Sequence, residues 1–166
     1  MMKKIISLFV VILGVVIFVT GCDDETNNNT NVKASSDEST LKCSRTAAGM
    51  NNATASLEYT IYYKGDYVTK TVSIERVESD DSSVLDQYEE SYKKVFTPYK
   101  DIDYYDNNVD RTSKSVTSTT VINYAKVDTK KILEIEGENG NIYEEDGKVK
   151  KDTLVSFFKK YGAKCE

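Results

Sequence analysis

The spacing of apolar side chains changes repeatedly along this chain, and each change marks an element. From Ile5 to Val19 the apolar run is almost unbroken, with Ser7 and Gly14 inside it and no charge. From Leu57 to Val77 the period is two. Leu57, Tyr59, Ile61 and Tyr63 share one face, Lys64-Gly65-Asp66 supplies a turn, and Val68, Val72 and Ile74 return on one face of the partner, which predicts a β-hairpin. The period then becomes three or four. Leu85, Tyr88, Tyr92, Val95, Phe96 and Tyr99 predict an amphipathic helix over residues 83–97, with Ser82 or Ser83 as its cap and Pro98 as its stop. The β-branched density from Val116 to Ile122 predicts a strand with Thr120, Ile122 and Tyr124 on one face. An earlier strand within Ile102 to Arg111 reaches it through a turn at residues 112–115. Thr129 to Ile135 reads as a short helix, and Glu136 to Lys148, rich in glycine and charge, as a loop. Asp152 is placed to cap a last helix that carries Leu154, Phe157, Phe158 and Tyr161 on one face and stops at Gly162. The order hairpin–helix–hairpin–helix predicts a two-layer α+β domain. Its antiparallel sheet has about four strands, and the helices pack on one face.

The apolar run at the start belongs to a different layer of organisation. Lys3 and Lys4 make a basic beginning, and the run is shorter than the ~20 residues that span a bilayer. Its length and flanks fit a secretory signal peptide, with an uncleaved anchor as the alternative. Val19-Thr20-Gly21-Cys22 resembles the bacterial lipobox, in which small residues precede a lipidated cysteine. The resemblance implies a signal peptide of residues 1–21 and a mature chain anchored by acyl chains on Cys22, on the extracytoplasmic face of a bacterial membrane. More than one chain gives stable anchoring. Residues 22–40 then read as the lipidated cysteine and a disordered polar tether, because Asp23 to Thr40 has Val32 and Ala34 as its only apolar residues. Residues 41–166 read as a single domain.

With Cys22 assigned to lipid, Cys43 and Cys165 remain and bracket that domain. In an exported protein such a pair reads as a disulfide, with Cα atoms about 5–6 Å apart. Free thiols or an intermolecular bridge are the alternatives.

Composition narrows the function classes. The chain has no histidine, so Ser-His-Asp and Cys-His catalysis are excluded and the commonest metal ligand is missing. The formal net charge is −5, and most of the basic residues are lysine, so nucleic acid is not an expected partner. Removal of Lys3 and Lys4 leaves 20 basic residues against 27 acidic ones, a net charge of −7, and lipid charge would contribute little to anchoring. No phosphate loop, zinc spacing or nucleophile elbow is present, and no cofactor is expected. The acids fall mostly at helix starts, turns and loops, such as Asp80, Asp81, Glu138 and Glu144. Those wet places keep carboxylates near their ordinary range, so no buried acid pair and no hydrolysis of peptidoglycan or simple glycans is expected.

Two surface constellations remain. Asp106, Asn108 and Asp110 alternate and offer oxygens to a hard cation, but Arg111 and Thr117 break the EF-hand pattern, and a solvated strand face is the reading preferred. Tyr62, Tyr67 and Tyr105, among 12 tyrosines, fall outside the predicted apolar faces and form a candidate surface for a glycan or protein partner. Rim packing is the plainer alternative. The function expected is a non-enzymatic envelope binding or interaction module. A carboxylate-based wall or glycan-processing enzyme or accessory, and a cation or small-ligand binder, are the alternatives.

"LEYTIYYKGDYVTKTVSIERV" (57–77), "INYAKVDTKKIL" (122–133) and "TLVSFFKKYGAKC" (153–165) resemble, in patches over residues 41–166, the YehR-type small bacterial lipoproteins, a family of undefined function. Those proteins share the lipobox, the Tyr-Lys-Gly-Asp hairpin and a closing helix that ends in glycine. The resemblance implies a lipid-anchored α+β domain. The Asn-rich tether and the Cys43/Cys165 pair depart from the pattern.

Overall fold

The computed structural model describes residues 37–136, 142–144 and 146–166. The expected signal peptide, Cys22, the tether as far as residue 36, and Glu138 lie outside the described residues. Strands β1 (Ser39–Ala48), β2 (Thr54–Lys64), β3 (Tyr67–Glu78), β4 (Tyr105–Arg111), β5 (Ser115–Asn123) and β6 (Lys164–Cys165) form one antiparallel sheet. Their order across the sheet is β4-β5-β3-β2-β1-β6. Helices α1 (Ser82–Phe96), α2 (Thr129–Glu136) and α3 (Lys151–Lys160) complete the α+β domain. Among the described residues no helix is long and apolar enough to cross a membrane.

The core lies between the helices and one face of the sheet. Val84 and Leu85 of α1 are buried with Val77 of β3 and Val116 of β5. Leu154 and Phe158 of α3 are buried with Tyr59 and Ile61 of β2. The opposite face of the sheet carries exposed Lys42, Ser44, Glu58, Asp106 and Asp110. Alternation along each strand produces this split, since successive side chains point to opposite faces.

Among the described residues the sheet has six strands, where the sequence predicts about four. β1 escaped because its inward positions, Leu41, Cys43, Arg45 and Ala47, include only one large apolar side chain. β6 has two residues and no period to read. The caps also differ. Asp81, not Ser82 or Ser83, is the N-cap of α1, and its carboxylate accepts from the Ser83 amide at 2.8 Å. Lys150 holds the N-cap position of α3, and Asp152 lies inside the first turn, where a negative charge complements the helix dipole. Ile142 and Tyr143, inside the predicted 136–148 loop, are buried core residues.

A β-bulge decides which side chains of β3 face the helices. Tyr62 pairs with Lys70 but Tyr63 pairs with Val68, so Thr69 is the extra residue. One extra residue reverses the alternation. Val68 faces the helices, and beyond the bulge Thr71, Ser73, Glu75 and Val77 do so. Val72 and Ile74 turn to the other face, which corrects the expectation that Val68, Val72 and Ile74 share one.

Gly162 follows α3 with φ +85, a left-handed conformation in which its amide donates to the Lys159 carbonyl at 3.0 Å. A Cβ there would meet the Arg45 Nε at 3.9 Å, an ordinary contact, so the cost of a side chain is conformational. Gly162→Ala should therefore lower stability by about 1 kcal/mol, read as a fall in the urea midpoint at unchanged slope. An unchanged midpoint would show that the end of α3 does not require glycine.

Candidate functional site

The covered face of the sheet is polar at its centre. Thr71 and Glu75 of β3 and Ser118 and Thr120 of β5 are all buried beneath the helices. Pairing aligns them, with Glu75 opposite Ser118 and Ser73 opposite Thr120. Asn107 of β4 extends the band, because its amide donates to Ser118 Oγ at 3.1 Å, Thr120 Oγ1 at 2.9 Å and the Thr119 carbonyl at 3.2 Å. A buried polar group costs free energy unless it is hydrogen-bonded, and Asn107 meets that need on the β5 side.

Above the band lies a small cleft. Its floor is Thr71, Ser73, Glu75 and Thr120, and its walls are aromatic, with Tyr59 of β2, Tyr105 of β4, Tyr124 after β5, Phe96 of α1 and Phe158 of α3. The Tyr59 and Phe158 rings stack with centroids 3.8 Å apart. The hollow measures about 20 Å³, room for one water-sized group. Ser73, in a central strand and on the covered face, is only half-buried, so solvent reaches the sheet at this point.

Glu75 dominates the electrostatics. It is 4% exposed. Burial pushes its carboxyl up to about 8, and a hydrogen bond with Tyr92 of α1 pulls only partly against that rise. Among the described residues no cation pairs with it. Burial raises the Tyr92 phenol, and the Glu75 charge raises it further. Tyr59 is raised by burial first and by Glu75 second, with Arg45 of β1 acting in the opposite direction. The result is one proton-holding carboxyl among phenols, hydroxyls and aromatic faces. Among the described residues Glu75 is the one acid in the lining, and no group of three or more metal-ligating side chains occurs.

Sequence reasoning missed this site. The expectation that the acids fall mostly in wet places does not hold for Glu75, which is buried. No period in the sequence marked it, because the extra residue at Thr69 is a feature of backbone geometry.

The tyrosines singled out in the sequence do not form one patch. Tyr105 is buried on the helix side and stacks on Tyr99 with centroids 4.6 Å apart. Tyr62 is buried on the opposite face, beneath the Lys70 ammonium at 4.0 Å from its ring centre. Tyr67 is half-buried, with the Lys148 ammonium 5.3 Å away. Asp106, Asn108 and Asp110 do share one exposed face. There the Asn108 amide donates to the Asp110 carboxylate at 2.7 Å, so its nitrogen rather than its oxygen points into the group.

Cys43 and Cys165 form a disulfide. Their Cα atoms are 4.0 Å apart, closer than the expected 5–6 Å. The reason is register. Lys42 and Glu166 exchange both backbone hydrogen bonds at 2.9 Å, which leaves Cys43 and Cys165 as the adjacent non-hydrogen-bonded pair, the closer kind.

No protein-family model matches the chain, and no curated protein matches it. Solved structures do. The NMR structure of a protein from Streptococcus pneumoniae TIGR4 aligns at 14% identity over 90% of this chain and 99% of that one, with a TM-score of 0.47. The NMR structure of the Escherichia coli YehR protein aligns at 22% identity over 77% of this chain and 90% of that one, with a TM-score of 0.53. At that identity the likeness is one of fold, and the chain shares its α+β fold with the YehR structure.

Proposed function

We propose that this chain is a lipid-anchored extracytoplasmic binding domain, held to a bacterial membrane by acyl chains on Cys22, that takes a small ligand in the Glu75 cleft without transforming it. Glu75 carries the binding reading. A carboxyl removed from water with no partner cation is a standing cost to stability, and such costs gather at functional sites. The cleft beside it reaches solvent at Ser73. One carboxylate supports binding over glycan hydrolysis, which takes two carboxylates about 5–9 Å apart. The lipobox-like Val19–Cys22 supports the anchor. The disulfide supports an oxidising compartment, where such bonds persist.

Two experiments test the two halves. Cys22→Ala should move the mature protein, with residues 1–21 removed, from the detergent phase to the aqueous phase on Triton partitioning, because the one acyl-accepting sulfur of the lipobox is gone. Full partition into detergent after signal cleavage would refute the anchor. Native mass spectrometry of full-length protein from cells should show a co-purifying small molecule on the wild type that Glu75→Gln lacks. Equal loading of the two variants would refute the cleft as the binding site.

A further inference from the structure

We propose that the Glu75 cleft takes the ammonium head of a primary amine, with the aromatic walls receiving the head and the carbon chain directed toward solvent. This rests on the binding reading above and names its ligand class. The argument begins with charge. A buried carboxylate without a partner cation is relieved by a ligand that brings one. Once Glu75 ionises, an anion would add to its charge and a neutral ligand would leave that charge unpaired.

The walls then choose the kind of cation. Calcium takes six to eight oxygen ligands, commonly with several carboxylates, and magnesium demands near-octahedral oxygen geometry. The cleft has one carboxylate, and five of its ten lining residues are aromatic. Aromatic faces attract organic cations through the ring quadrupole, and the attraction is strongest where water is excluded. Tyr59, Tyr105, Tyr124, Phe96 and Phe158 supply those faces.

Size and hydrogen bonding choose among organic cations. The hollow of about 20 Å³ admits one water-sized group. A primary ammonium head is of that size, and a quaternary ammonium with four methyl groups is not. The primary head also donates three hydrogen bonds, as the lysine ammonium does. Glu75, Thr71 and Thr120 offer acceptors on the floor. The half-buried Ser73 marks the side open to solvent, where the rest of the amine would leave.

Binding must displace the proton that Glu75 holds, so affinity is coupled to pH. The charged or titratable groups around Glu75 are Tyr92 on α1, Tyr59 on β2, Tyr105 on β4 and Tyr124 after β5, with Arg45 on β1 acting on Tyr59. Tyr59 and Tyr92 are both pushed above the ordinary tyrosine range and do not titrate near neutrality. Glu75, at about 8, does.

The test uses full-length protein in detergent and isothermal calorimetry, with n-butylammonium chloride as probe. 1-Butanol and tetramethylammonium chloride serve as controls at matched ionic strength. The expected result is saturable butylammonium binding to the wild type, roughly twentyfold weaker at pH 6.5 than at pH 8.5, with a proton released on binding. Alkylammonium, like lysine, keeps its charge over that range. Glu75→Gln should abolish the binding. If that variant does not fold, the pH dependence of the wild type decides. Binding that is independent of pH, or that tetramethylammonium matches, overturns the proposal. Glu75-dependent binding of 1-butanol without butylammonium overturns the amine and leaves the cleft as a binding site. No Glu75-dependent binding by any probe counts against both.

Discussion

Replacing Cys43 and Cys165 together by alanine lowers the unfolding free energy by about 5 kcal/mol. The bond closes a separation of 122 residues, which takes in nearly the whole domain. On the chain-entropy account, a cross-link over a loop of that length restricts the unfolded chain by about 5 kcal/mol. A domain of this size is typically stable by roughly 5–15 kcal/mol, so the loss is a large fraction of the whole. The native structure explains why the chain leans on this bond. β6 contributes two residues to the sheet and pairs only with β1, which is otherwise held by β2. Without the bond, the Lys42–Glu166 hydrogen bonds and the Arg45 donation to the Tyr161 carbonyl at 2.8 Å still help to tie the C-terminus down, beside the packing of α3. Urea denaturation of the double variant against the oxidised wild type checks this, and reduction of the wild type should give a comparable fall. A loss below about 1 kcal/mol in both would mean that β1, β6 and α3 hold together without the bridge.

The hairpin of β2 and β3 shows how far the sequence carries and where it stops. The alternation of Leu57, Tyr59, Ile61 and Tyr63 identified the inward face of β2 correctly, because burial of one sheet face requires that period. The same rule failed on β3. Val72 and Ile74 look like the inward set, yet the bulge at Thr69 sends Thr71, Ser73 and Glu75 inward instead. A bulge is one residue of backbone geometry, and composition does not announce it. α1 was legible because Leu85, Tyr88, Tyr92 and Phe96 keep a helical period over several turns. β1 was not, because its neighbours in the sheet supply burial that its own side chains do not advertise. The site followed the same division. The two cysteines were legible because their placement constrains the pairing. The cleft was not, because it depends on β3, β5 and four further elements meeting over a face whose phase the sequence misreports.

Glu75→Gln changes how stability depends on pH, and by an amount close to that of the disulfide. In the folded protein the Glu75 carboxyl is raised from 4.5 to about 8 by burial. Below pH 4.5 the group is protonated whether the chain is folded or unfolded, and it contributes no pH dependence. Between pH 4.5 and about 8 the unfolded chain gives up this proton while the folded chain keeps it. The unfolded state then binds fewer protons, so stability falls as pH rises, by about 1.4 kcal/mol per pH unit. Above about 8 both states are ionised and the loss levels off at about 5 kcal/mol. Glutamine keeps the shape of the neutral acid, and its carbonyl still accepts from the Tyr92 hydroxyl, but it never ionises. The variant should match the wild type near pH 4.5, exceed it by about 3 kcal/mol at pH 7, and exceed it by about 5 kcal/mol at pH 9. Groups elsewhere titrate in both proteins, so the difference between the two urea curves isolates Glu75. The measurement belongs in acetate, phosphate and borate, which contain no amine to occupy the cleft. A difference that stays flat from pH 4.5 to 9 would mean that the Glu75 carboxyl reaches water in the folded protein, and the argument for a charge-seeking cleft would fall with it.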